Sequence, residues 1–114
     1  MQILKNYPAE LTKKQKYDLT MSPKIRKMSN ATGSVLDVSA WCLYEDADND
    51  GELHSVLSIL TPEGEIFATN SATFQRDFAA MCELFGDGGV DRLEIISGQS
   101  KAGREFVTCA YAGE

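Results

Sequence analysis

The segment NSATFQRDFAAMCELFG, from Asn70 to Gly86, constrains the fold more than any other stretch of the chain. Ser71 is a strong helix N-cap, because its hydroxyl can accept a hydrogen bond from an otherwise unpaired backbone N–H in the first turn. Phe74, Phe78, Met81 and Phe85 then recur at spacings of four, three and four, which places them on one side of a helix. Gly86 can adopt the left-handed conformation that ends such a helix, and Asp87-Gly88-Gly89 prevents its continuation. A single helix with one aromatic stripe has to lay that stripe on a sheet. Burying four side chains of this size is worth roughly 6–12 kcal/mol before entropy is counted.

The sheet is legible on both sides of that helix. Ser34 to Tyr44 is rich in β-branched and aromatic residues and lacks a helical period, so it reads as a long strand. Glu45 to Gly51 is a turn by composition, Glu52 to Thr61 a second strand, Pro62-Glu63-Gly64 a tight reversal, and Glu65 to Thr69 a third strand. After the helix, Asp91 to Ser97 gives a fourth strand, Gly98 to Gly103 a loop, and Arg104 to Ala112 a fifth. Three strands, a helix and two strands is the element order of an OB-type, partly open Greek-key barrel. The expected fold is therefore mainly β within the α+β class: a five-stranded OB-like barrel with a helix between its third and fourth strands.

The first part of the chain differs in character. Gln2 to Tyr7 can pair as a short strand before Pro8, and Leu11 to Met21 reads as a helix with Thr12 as its cap. Ser22-Pro23, a capping residue followed by proline at a first helical position, predicts a second short helix through Lys24–Met28, ended by Asn30 to Gly33. Residues 1–30 carry seven Lys or Arg against two acidic residues, whereas residues 31–114 carry four against fifteen. One domain is expected, with a basic helical leader over residues 1–33 and an acidic barrel over residues 34–114. That asymmetry suggests an anionic partner for the leader.

Function is read mostly by elimination. No apolar run approaches the ~20 residues needed to cross a bilayer, and no signal-peptide segment opens the chain. Cys42, Cys82 and Cys109 lack a CxxC spacing and read as buried thiols of a reducing compartment. His54 is the only histidine, and no Walker or dinucleotide motif is present, so no enzyme activity and no cofactor are expected. Asp46 to Gly51 matches the first half of a calcium-binding EF-hand loop, but the position that needs a bidentate glutamate falls on Leu57 and the flanks read as strands. No metal site is expected there.

What remains is a binding surface. Single-strand binders combine aromatic faces for bases with cations along the backbone. The aromatic candidates are Trp41, Tyr44, Phe67, Phe106 and Tyr111, joined by His54. The loop Ser97 to Arg104 is the sharpest signal, because its glycines permit close approach and Lys101 and Arg104 are two of the acidic part's four cations. Lys24, Arg26 and Lys27 of the leader are candidate phosphate contacts.

The stretches LTMSPKIRKM, WCLYEDADNDGE, ILTPEGEIFATNSATFQRDF and ISGQSKAGREFVTC resemble a group of short proteins encoded by phages and mobile elements of Gram-positive bacteria, described as single-stranded-DNA-binding proteins. The resemblance implies an OB-type barrel that coats single-stranded DNA during phage DNA replication in the bacterial cytoplasm. In that family's pattern Phe67, Thr69, Asn70, Ser71 and Thr73 precede or open the helix, and Lys101, Gly103 and Arg104 form a basic final hairpin. The chain departs from many single-strand binders at Ala112-Gly113-Glu114, where no acidic tail follows. A homodimer through open strand edges and contacts with replication proteins are further expectations. The alternative reading is an acidic accessory factor that inhibits another protein by mimicking nucleic acid.

Overall fold

A computed structural model describes all residues from Met1 to Glu114. Eight strands and two α-helices follow one another: β1 (Gln2–Tyr7), α1 (Lys13–Thr20), β2 (Arg26–Lys27), β3 (Val35–Asp37), β4 (Ala40–Ala47), β5 (Leu53–Leu60), β6 (Ile66–Thr69), α2 (Ala72–Phe85), β7 (Arg92–Gln99) and β8 (Glu105–Tyr111). They build a five-stranded mixed sheet in the order β1-β4-β5-β6-β2 and a three-stranded antiparallel sheet in the order β3-β7-β8.

Alternation along β4 and β5 sorts the side chains into two cores. Trp41, Leu57, Ile59 and Phe67 face inward, against Leu93 and Ile95 of β7 and against Phe74, Phe78 and Cys82 of α2. Ala40, Cys42, Tyr44 and Leu60 face the other way and are covered by Leu11 and Leu19 around α1. Ser58, fully buried on that outer side, donates its hydroxyl to the Leu19 carbonyl at 2.6 Å and ties the end of α1 to the sheet.

The expected OB-like barrel does not form: of the two edges that would close it, one is occupied and the other is occupied in part. The free edge of β6 is taken by β2, which pairs with it in parallel, Arg26 opposite Phe67 and Lys27 opposite Ala68. The free edge of β8 is covered by α2 only from the Val107 carbonyl onward, where the cap residue Ser71 donates its hydroxyl at 2.9 Å and Thr108 donates to Asp77. The predicted long strand from Ser34 passes between sheets instead of running through. Val38 gives its N–H to the Asp91 carbonyl just ahead of β7 in the small sheet, and Ser39 gives the next to Leu60 in the large one.

The second leader helix is also absent. Ser22 caps only a turn, accepting from the Lys24 N–H at 3.1 Å, and the chain then becomes β2 followed by a 3₁₀ turn over Met28–Ala31. Five residues cannot repay the nucleation cost of an isolated helix, whereas extension along β6 gains backbone pairing and sinks Met28 fully into the core. The first leader helix is present, closed by a capping box in which Thr12 and Gln15 exchange hydrogen bonds.

The stripe on α2 is rotated from its expected position. Phe74, Phe78 and Cys82 are its buried residues, Met81 is half-buried, and Phe85 is 43% exposed. The Phe85 ring instead leans on Tyr111, with centroids 4.9 Å apart. No helix is long and apolar enough to cross a membrane.

Candidate functional site

The gap left between the two sheets is an open cleft of about 950 Å³. One wall comes from β2 and the following 3₁₀ turn, with Lys27, Met28, Ser29 and Thr32; the other comes from Ser97 of β7 and Glu105, Phe106 and Val107 of β8. Its floor is the end of β6 and the entry to α2, Thr69, Asn70 and Ser71. The sheets part here, where β6 turns into α2.

Local chemistry holds this corner firmly. Ser71 accepts from the Phe74 N–H as the cap of α2, and its own N–H goes to the Thr69 hydroxyl at 3.0 Å. Thr108 donates to the Asp77 carboxylate one turn further along the helix. That bond, followed by the Arg76 guanidinium, holds the Asp77 carboxyl below its usual range despite some desolvation. Phe106, half-buried, lies over Gly98 on the paired strand; a Cβ built at Gly98 would fall 2.6 Å from the ring. Glycine there is what lets the ring lie flat on the sheet beside the cleft.

The predicted site residues fall into four groups. Lys27 and Phe106 line the cleft. Lys101 and Arg104 sit exposed in the β7–β8 turn, closed by the Ser100 N–H to the Arg104 carbonyl, and Lys24 is exposed in the segment before β2. None of Lys24, Lys27, Lys101 and Arg104 is within ion-pair distance of a carboxylate, whereas Arg26 is held by Glu65 at 3.4 Å.

The third group is engaged in the protein's own packing and hydrogen bonding. Trp41, Tyr44 and Phe67 are only 2%, 5% and 5% exposed. Trp41 donates its indole N–H to the Asp87 carbonyl at 3.0 Å and meets Phe78 edge-on, with centroids 5.2 Å apart. Strand alternation sent these rings to the two cores. Tyr111 is half-buried at the far end of β8, its hydroxyl donating to Asp91 at 2.9 Å.

His54 lies at the distant β4–β5 hairpin, bonded to Asp48 at 2.8 Å. Asp48, Glu52 and His54 bring possible ligand atoms within 4.8 Å of one another. The Asp48 oxygens are already engaged, one by the N–H groups of Asp50 and Glu52 and the other by His54. His54 first, then those backbone donors, hold the Asp48 carboxyl below its ordinary value. The cluster is accounted for as the lock of a tight turn.

Residue-type reasoning overlooked Ser29 and Thr32 as cleft residues, whereas Ser97 lies in the loop it had singled out. The signal of the first two was weak, since isolated hydroxyls in turns occur in every chain. The three cysteines are free and buried, and burial pushes the thiols of Cys42 and Cys82 up to about 11 and that of Cys109 to about 12. Neither a known protein family, nor a curated protein, nor a solved structure matches this chain.

Proposed function

We propose that the protein binds single-stranded nucleic acid along the cleft between its two sheets, without sequence preference. The observation that carries this reading is one cleft combining the Phe106 ring, Lys27 and a row of neutral hydroxyl and amide groups from Ser29, Thr32, Thr69, Asn70 and Ser97. Every base has a π-face, so a ring beside the cleft gives stacking worth about 1–3 kcal/mol per base. Lys101 and Arg104, uncommitted to any carboxylate, lie on the turn that leads into the β8 wall, whereas Lys24 lines a separate hollow beside Glu63 and Glu65. Hydroxyl and amide donors suit phosphate and sugar oxygens. The role that agrees with the family resemblance is coating of single-stranded DNA during phage or mobile-element replication.

The test is anisotropy of fluorescein-labelled oligo-dT across a salt series. Affinity should fall with salt, each neutralised phosphate adding about 0.7 to the log–log slope. Lys101→Ala combined with Arg104→Ala should flatten the slope, and an unchanged slope removes both residues from the site. Phe106→Ala should weaken binding about five- to 140-fold, from the stacking range.

A second reading has its own observation. Asp46, Asp48, Asp50 and Glu52 stand exposed on a hairpin whose turn is fixed by the Asp48 network. Such a surface would mimic nucleic acid towards another protein, and oligo-dT would then show no binding even at low salt.

A further inference from the structure

One side of the β8 backbone is left open inside the cleft. β8 pairs with β7 so that Gly98 opposes Phe106, Ser97 opposes Val107 and Gln99 opposes Glu105. The phase of the ladder is fixed at both ends by the bonds from Ser100 N–H to the Arg104 carbonyl and from Ala112 N–H to the Arg92 carbonyl. Ile95 of β7 gives the same phase independently, since it exchanges its bonds with Gly33 and Ser34 on the opposite side. In an antiparallel pair only alternate residues bond across the ladder. Phe106, Thr108 and Ala110 therefore bond to β7, while Glu105 and Val107 turn their backbone groups outward. The Val107 carbonyl is taken by Ser71. The Val107 N–H and both backbone groups of Glu105 remain, on residues that line the cleft. Across the cleft the large sheet ends at β2, whose Lys27 faces the same space.

We infer that this slot accepts a short, acidic, extended peptide from a partner protein, which adds to β8 as a strand and bridges toward β2. A strand repeats its outward backbone groups every two residues, roughly 7 Å, and an added peptide strand matches that repeat residue for residue. Charge selects the occupant. Lys27 on one flank and Lys101 and Arg104 on the other meet no carboxylate, while Glu105 is the single acid among the lining residues; Lys24 belongs to a separate hollow that it shares with Glu63 and Glu65. An acidic segment is attracted to both flanks and a basic one is repelled. The inference does not depend on the nucleic-acid reading; the two ligands would compete for one slot.

The experiment uses the full-length ¹⁵N-labelled protein and the blocked peptide acetyl-EVEVEV-amide. Peptide should shift the Glu105 and Val107 amides downfield and slow their exchange with solvent at least tenfold. N-methylating alternate peptide amides should weaken binding at least tenfold in at least one of the two phases, and acetyl-KVKVKV-amide should bind at least tenfold more weakly. Val107→Pro removes an outward N–H at an edge position that tolerates proline and should cost tenfold or more in peptide affinity. Glu105→Pro serves the same purpose if the first variant fails to fold by circular dichroism. Absence of amide protection at millimolar peptide, equal binding of the lysine peptide, or protection of these two amides by oligo-dT and not by peptide would each overturn the inference.

Discussion

Ser71 joins the helix to the small sheet with a single hydroxyl, so its removal should cost more than an ordinary cap. The hydroxyl accepts from the Phe74 N–H at 3.2 Å and donates to the Val107 carbonyl at 2.9 Å. Losing an N-cap costs about 1 kcal/mol, and leaving a half-buried carbonyl without a partner costs about 1–3 kcal/mol. Ser71→Ala should therefore destabilise by roughly 2–4 kcal/mol. Ser71→Asp separates the two effects, because a carboxylate still caps the helix and favours its positive end but has no proton for Val107. It should lose about 1–3 kcal/mol and lie above the alanine variant. Urea unfolding followed by far-UV circular dichroism and by Trp41 fluorescence measures both, the indole being buried against Phe78 and so sensitive to the core. An alanine variant within about 0.5 kcal/mol of wild type would refute the double role, as would an aspartate variant less stable than alanine.

Three other outcomes are expected. Gly98→Ala should keep the fold but push the Phe106 ring off its strand, since the new Cβ would lie 2.6 Å from it; altered Phe106 ring resonances and oligo-dT affinity reduced as in Phe106→Ala check this. Thr108→Val should raise the Asp77 pKa towards the ordinary carboxylate value, because the Thr108 hydroxyl is the main cause of its depression. A depressed carboxyl contributes stability above its unfolded pKa and loses it as pH falls through the folded one, so wild type, more than the variant, should lose stability below about pH 4; carboxyl ¹³C titration reads the shift. With thiols held at about 11, 11 and 12 by burial, Ellman's reagent should find none at pH 8 in the native protein and three after unfolding in guanidinium. Stoichiometric native labelling would contradict that packing.

Local chemistry was readable in the sequence, and long-range pairing was not. Ser71 and Gly86 bracket α2, and Thr12 caps α1, because caps act within a few residues. β5 to β8 follow from composition and turns in the same way, whereas the single strand read from Ser34 to Tyr44 is two, β3 and β4, in different sheets. Closure of a barrel, however, depends on which edge finds which partner. Arg26 and Lys27 carry no strand signal of their own; they extend because β6 offers an edge and Met28 a buried anchor. The misplaced aromatics have one cause. An exposed stacking ring and a core ring share the same alternating pattern, so only the layers over both faces of the large sheet, α2 and the small sheet above Trp41 and Phe67 and α1 above Tyr44, distinguish these rings from Phe106. The cations were separable only by charge partners: Arg26 is tied to Glu65, and Lys27 is not.

The most direct test of the cleft as the binding site is a titration of the ¹⁵N-labelled protein with oligo-dT at low salt, mapping amide shifts onto the fold. The largest changes should fall on Lys27, Ser29, Asn70, Ser97 and Phe106, around the gap between the sheets. Changes confined to the Asp46–His54 hairpin or to the lysines of α1, or no changes at all, would contradict the account.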